Sequence, residues 1–258
     1  MPFSSDTRFS STVAQVAIVG TDAVLAARPA TAVQLAHACQ KLGFAVVVPA
    51  SWGDELVAAE CVRQTAEMGI EPAVLCACPH VTSRLLAAGA ELAPFFVSLV
   101  SPPVAAARYV RRLYGDRPVR VTFIGACPGA EDEVVDERLL PDELLALLED
   151  EGIALSRQPT VFDSVIPPDR RRFASLPGGA PSPDRLRELS PPRCLIEIDG
   201  TAYAAELAQH LLAGDCVLAD LAPRLGCSCS GAVPGIAPRD ARAVAASLDP
   251  MRAPSHVV

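Results

Sequence analysis

Short apolar strands alternate with helices along most of this chain, and that alternation leaves few folds open to it. Ser11 to Gly20 reads as a strand ending in Val-Gly-Thr-Asp, and Thr31 to Leu42 as a helix stopped by Gly43. Phe44 to Val48 is an unbroken apolar strand, Asp54 to Met68 a second helix, and Ala73 to Cys76 a third strand that runs into Cys78-Pro79. Val81 to Ala88 is helical, and an apolar stretch, Phe95 to Val100, precedes a helix opened by Ser101-Pro102-Pro103 and ending near Tyr114. Val119 to Ile124 is a strand leading to Gly125-Ala126-Cys127, and Pro141 to Glu151 an amphipathic helix. Strand followed by helix, repeated, predicts a mainly parallel sheet with right-handed crossovers, hence an α/β fold.

Beyond Gln158 the alternation breaks. Pro167-Pro168, Pro177-Gly178-Gly179 and Pro191-Pro192 make 158–193 a long irregular connection. Cys194 to Ile198 then reads as a strand, Ala202 to Leu212 as a helix, and Leu221 to Gly235 as a Gly/Ser/Cys loop. The chain has 258 residues, half of them hydrophobic, enough for one large domain or two fused lobes.

The net charge of −8 argues against nucleic acid, which needs a basic face to displace condensed counterions, and against anionic membranes. Residues 1–11 are polar, without the basic region and apolar run of a secretory signal. No apolar stretch reaches the ~20 residues that span a bilayer. A cytoplasmic protein is expected.

That placement gives the nine cysteines their meaning, because in a reducing compartment clustered thiols are metal ligands or catalytic groups more often than disulfides. Six fall in three places: Cys76 and Cys78, then Cys127, then Cys216, Cys227 and Cys229. Cys78 and Cys127 each follow a strand, as does the Thr21-Asp22 turn, and parallel sheets bind ligands beyond the carboxyl ends of their strands. These groups should share one rim. Zinc sites normally show paired Cys-x-x-Cys motifs, which are absent, so thiolates from distant loops suit a cubane iron–sulfur cluster better. Ordinary buried core cysteines are the competing reading. Cys39, Cys61 and Cys194 fall within helices or a strand and are expected in the core, and Cys216 is placed outside the cluster.

From Val33 to Ile153 the order of features resembles the catalytic domain of iron-only hydrogenases, the C-terminal region of their large chain. The resemblance is carried by Lys41-Leu42-Gly43-Phe44, Ser51-Trp52-Gly53-Asp54-Glu55-Leu56, the helix with Glu60, Cys78-Pro79, Ser101-Pro102-Pro103 and the strand ending at Cys127. The later Phe173 to Gly179, with its Pro-Gly-Gly, and Gly226-Cys227 also have counterparts. The expected architecture is α/β, with two lobes of mainly parallel sheet flanked by helices and the cluster site in the cleft between them. The domain would span 12–245, with lobes of roughly 12–115 and 116–245, and 246–258 as a tail.

The resemblance implies that Cys78 and Cys127 hold a [4Fe–4S] cluster and that Glu133 is the catalytic acid. Cys227 keeps the last cysteine of the third motif. Pro223 stands where the other belongs, and Cys229 or Cys76 could supply the missing thiolate. The assigned ligand set is Cys78, Cys127, Cys227 and Cys229.

The departures matter as much. Ala77 replaces a proton-relaying cysteine, Ala130 a lysine and Gly125 a methionine. A diiron unit is therefore doubtful. A redox or gas sensor, or an electron-transfer module, with little hydrogen turnover is expected, its partner a redox or signalling protein. A functional iron-only hydrogenase is the alternative, and a metal-free interaction protein the second.

His80 could ligate metal but more simply caps the following helix. The acidic run Glu131 to Glu137 reads as a solvated loop and helix start, with only Glu133 singled out by the resemblance. Asp54 and Glu55 mark a helix N-terminus. Arg170-Arg171-Arg172 could dock a partner but reads more simply as a solvated loop.

Overall fold

The computed structural model describes residues 13–68, 73–88, 90–161, 175, 178–186, 195–197, 209 and 218–220. Two all-parallel sheets organise them, as the strand–helix alternation requires. The first has the order β2-β1-β4-β5, formed by β1 (Ala14–Val19), β2 (Val46–Pro49), β4 (Val119–Ile124) and β5 (Glu137–Leu139). The second has the order β3-β7-β6, formed by β3 (Ala73–Leu75), β6 (Leu195–Glu197) and β7 (Leu218–Asp220). Each sheet takes strands from both sides of residue 115. The strand after β2 leaves for the second sheet, and β4 returns beside β1.

β1 shows why the sheet is covered on both faces. Ala17 and Val19 join a core with Leu35 and Cys39 of α2 (Ala32–Lys41) and Leu144 and Leu148 of α6 (Pro141–Asp150). Val16 and Ile18 point the other way, onto Ala106, Ala107 and Val110 of α5 (Pro102–Tyr114). α3 (Ser51–Met68) packs Cys61 and Val62 on Ala73 and Leu75 of β3, and crosses α5 on its other side. The layers thus run first sheet, α5, α3, second sheet. Cys39 and Cys61 are core residues, as expected.

Local chemistry sets the helix ends. Thr31 caps α2: Gln34 N donates to its Oγ1 at 3.2 Å, and Gln34 Oε1 accepts from Thr31 N at 2.9 Å. α3 begins at Ser51, three residues earlier than Asp54, so Gly53 lies inside it. A Cβ there would fall 1.8 Å from the Pro102 carbonyl oxygen, so only glycine allows α3 and α5 this close.

Three elements were not anticipated from sequence: α1 (Thr21–Ala26), β5 and β7. The stretch through Pro94 is a 3₁₀ turn over Ala90–Phe95, and α4 spans Pro79–Ala88. Within the connection expected to be irregular, α7 (Pro183–Leu186) forms one helical turn. Of the helix expected at 202–212 only Gln209 is described, and it is helical, while the loop at 221–235 lies outside the described residues. Among the described residues no helix is long and apolar enough to cross a membrane.

Candidate metal centre

β1 has β2 on one side and β4 on the other, so the chain changes direction around the carboxyl ends of β1 and β4. In an open parallel sheet, that switch point is where a crevice forms. Val19 lies opposite Ile124 in register, which brings Gly20-Thr21-Asp22 beside Gly125-Ala126-Cys127. The rim expected from sequence exists for these two turns, and the Cys76–Cys78 turn reaches it from the second sheet.

That junction is made by Gly129. A Cβ on it would lie 3.2 Å from Pro79 Cδ and 3.0 Å from Ser101 Cβ, so the turn after Cys127 rests on the residue after Cys78. Ser101 stands at the N-cap of α5 but does not use its hydroxyl there. Oγ instead donates to Gly129 O at 2.5 Å, tying the start of α5 to the Cys127 turn. Pro128–Ala130 forms a 3₁₀ turn that keeps Gly129 and Ala130 buried.

Both thiols at this contact are shielded: Cys78 is 3 % exposed and Cys127 1 %. Cys76 is equally buried and donates its thiol toward Cys78 O at 3.5 Å. Thr82 N donates to the same carbonyl at 2.9 Å, closing the first turn of α4. His80 lies in that turn. Cys227 and Cys229 lie outside the described residues, so two of the four assigned ligands are placed. Among the described residues no group of three or more His, Cys, Asp or Glu converges on a metal-binding geometry. The placed pair suits a soft metal centre: buried thiols on separate turns, each followed by proline.

Asp22 lies on the rim where sequence reasoning put its turn, but that reasoning gave its carboxylate no role. Its Oδ2 accepts from Ala126 N at 2.6 Å, one residue before Cys127. Burial raises its pKa above the ordinary carboxylate value; the nearby Cys127 adds to the rise, and backbone N–H groups of Ala126 and Ala23 oppose it. The signal was present in its place directly after β1, beside the strand that carries Cys127.

The acidic run begins as an exposed turn, as expected, but leads into a strand and not a helix. Its residues form a turn and then β5, an edge strand whose polar sequence hid it. Glu131 pairs with Arg138 at 2.6 Å, Asp132 with Arg108 at 3.4 Å, and Asp136 with Arg111 at 2.7 Å. Asp136 also accepts from Val121 N at 2.6 Å, fastening the turn to β4. Glu133 is exposed in that turn. Asp54 and Glu55 do lie in the first turns of α3, yet their carboxylates also hold the Pro-Gly-Gly segment. Gly178 N donates to Asp54 Oδ1 at 2.9 Å, and Ser175 N and Oγ donate to Glu55 Oε1 at 3.1 and 2.6 Å. Arg170, Arg171 and Arg172 lie outside the described residues.

A family model described as the iron only hydrogenase large subunit, C-terminal domain, matches residues 10–176. The chain belongs to that family. Its fold is that of solved [FeFe]-hydrogenases. A variant of HydA1 from Chlamydomonas reinhardtii is 16 % identical, with a TM-score of 0.62 over 92 % of this chain and 85 % of that one. A structure concerned with oxygen inactivation and degradation of the H cluster 2Fe subcluster is also 16 % identical, at 0.60 over 92 % and 85 %. One concerned with stepwise H-cluster assembly in HydA, again 16 % identical, gives 0.60 over 91 % and 83 %. No curated protein matches the sequence significantly.

The residues that the sequence resemblance sets at the relay cysteine, lysine and methionine positions are packed, not solvated. Ala77, at the relay cysteine's position, is 3 % exposed and packs with Val57 and Ala105. Ala130, at the lysine's position, is 1 % exposed in the same apolar cluster as Cys127. A side chain on Gly125, which the resemblance sets at the methionine's place, would force Phe123 and Asp22 to shift: its Cβ would meet Phe123 Cζ at 2.7 Å and Asp22 Oδ1 at 2.8 Å.

Proposed function

We propose that this chain holds one [4Fe–4S] cluster through Cys78, Cys127, Cys227 and Cys229, and acts in redox or gas sensing or in electron transfer, with little turnover of hydrogen. The observation that carries the reading is the contact between the two cysteine turns, which puts buried Cys78 and Cys127 on either side of the Gly129–Pro79 junction. The remaining two ligands are within reach. β7 runs parallel to β3 with Asp220 opposite Leu75, so the chain leaves β7 at the end where Cys76–Cys78 begins. Cys227 is seven residues further on, a span of up to about 25 Å.

A [4Fe–4S] cluster, when bound, accepts and donates single electrons. The chain's own contribution is to exclude water from the thiols and to fix the two turns through Ser101, Gly129 and Asp22. Heterolytic hydrogen chemistry needs a base beside the open iron and a relay to solvent. By the family resemblance, Ala77 offers only a methyl group where the relay would stand and Ala130 only a methyl where a lysine would donate to a diiron ligand, and Glu133 projects from an exposed turn. The net charge of −8 favours a protein partner over nucleic acid, and we read the site of action as the cytoplasm.

Iron and acid-labile sulfide, with an EPR spectrum, on anaerobically reconstituted protein and on Cys127→Ser test this directly. About four irons per chain, reduced in the variant, are expected. Protein without iron would sink the cluster reading and leave an interaction protein on a hydrogenase scaffold. Hydrogen evolution after maturation with a diiron cofactor would favour a true hydrogenase instead.

A further inference from the structure

The Asp22 carboxylate sits between two glycines. A Cβ on Gly20 would fall 2.4 Å from Asp22 Oδ1, and one on Gly125 would fall 2.8 Å from the same oxygen. Oδ2 meanwhile accepts from Ala126 N at 2.6 Å. Gly20 N donates to Ile124 O at 2.8 Å and Gly125 N to Leu139 O at 2.9 Å, so the backbone on each side is held by partners other than the carboxylate. The cradle is thus built for this side chain. The residue it seizes immediately precedes Cys127, while Ala126 itself is exposed.

We propose that Asp22 is a positioning residue for Cys127: its carboxylate pins the Ala126 peptide and thereby sets the direction in which the Cys127 sulfur is presented. This accounts for one departure from the hydrogenase pattern, the glycine at 125. With Asp22 in place, a methionine at 125 would force the carboxylate and Phe123 to shift, and Gly125 is the residue that lets the carboxylate in. The Ala126 N–H, spent on Asp22, is also withdrawn from donation to any sulfur at the site. The proposal deepens the cluster reading, and only its spectroscopic consequence rests on that reading.

Three measurements test it. In the wild-type protein, hydrogen exchange of the Ala126 amide should be slowed although the residue is exposed; exchange at the rate of an unprotected amide overturns the proposal. In apo protein, alkylation of Cys127 by iodoacetamide, followed by peptide mass spectrometry, should be about ten- to hundredfold faster in Asp22→Ala, the equivalent of losing one charge-assisted hydrogen bond. Asp22→Asn, which keeps an acceptor oxygen, should stay within about threefold of wild type. Equal rates in wild type and Asp22→Ala overturn the proposal, and if the alanine variant does not fold, the exchange measurement decides. In iron-loaded protein, Asp22→Ala should shift the g-values of the reduced cluster and Asp22→Asn should restore them; unchanged g-values in Asp22→Ala count against it. If wild-type protein takes up no iron, the cluster reading fails while the exchange and alkylation results still judge Asp22.

Discussion

Gly53→Ala should be among the most damaging small substitutions in this protein, although it adds one carbon to the interior of a helix. The new Cβ would lie 1.8 Å from Pro102 O and 2.5 Å from Pro102 C. Non-bonded heavy atoms rest at about 3.5 Å, so α3 and α5 would have to part by on the order of 1.5 Å. No rotamer can relieve the clash, because both groups are backbone. Parting the helices loosens Val57 against Ala105, both now buried. Overpacking of this kind costs about 3 kcal/mol, at the upper end of the usual range, because no flexible neighbour can give way. Alanine's better helix propensity returns about 1 kcal/mol, leaving a net loss of about 2 kcal/mol. In urea, that lowers the unfolding midpoint by on the order of 1 M. The effect should reach the thiols as well, since Pro102 follows Ser101, whose hydroxyl holds Gly129. A midpoint within about 0.2 M of wild type would refute the claim that the α3–α5 crossing requires glycine.

Three further outcomes are expected. Ser101→Ala should cost about 1–2 kcal/mol in urea unfolding by leaving the buried Gly129 carbonyl without its donor, and should raise the alkylation rate of Cys127. Thr31→Ala removes the capping box of α2 and should cost about 1 kcal/mol, with Thr31→Ser restoring most of it. Burial pushes the Cys39 thiol from 9.0 up to about 12, so it should resist iodoacetamide at pH 8 in the folded protein. Because its folded-state pKa is raised, its contribution to stability is complete below pH 9.0 and declines as pH rises toward 12. Cys39→Ala should flatten that decline in urea midpoints.

The elements legible in the sequence were those with a full period to show. β4 was read to the residue at Val119–Ile124, and α2 to within its caps. What escaped was short or polar. α1 has six residues and only Ala23 and Leu25 buried, too little for a helical pattern to register. β5 reads Glu-Arg-Leu, whose outer side chains pair with charge instead of core. Sheet membership was beyond the sequence for a different reason. β1 and β3 are both apolar with small or branched residues, and only non-local pairing sends Ala73–Leu75 to the second sheet. The turn of Asp22 was legible as part of the rim, but its hydrogen bond was hidden likewise, because the partner, Ala126, is 104 residues away along the chain.

Burial does not separate ligands from packing among these cysteines. Cys39, Cys61, Cys76, Cys78 and Cys127 are all buried. What distinguishes them is how their backbone is held. Cys39 and Cys61 sit on helices whose hydrogen bonds are complete within the helix, so their thiols answer mainly to neighbouring side chains. Cys78 and Cys127 sit on turns that would otherwise have little reason to be fixed, yet each is held by groups from elsewhere in the chain: Ser101 and Asp22 at Cys127, and the Gly129 contact beside Cys78. Fixing a turn from outside costs conformational entropy that a packed methyl does not require. A chain that had turned both thiols into filler would have no use for Ser101's diverted hydroxyl or for a carboxylate held between two glycines.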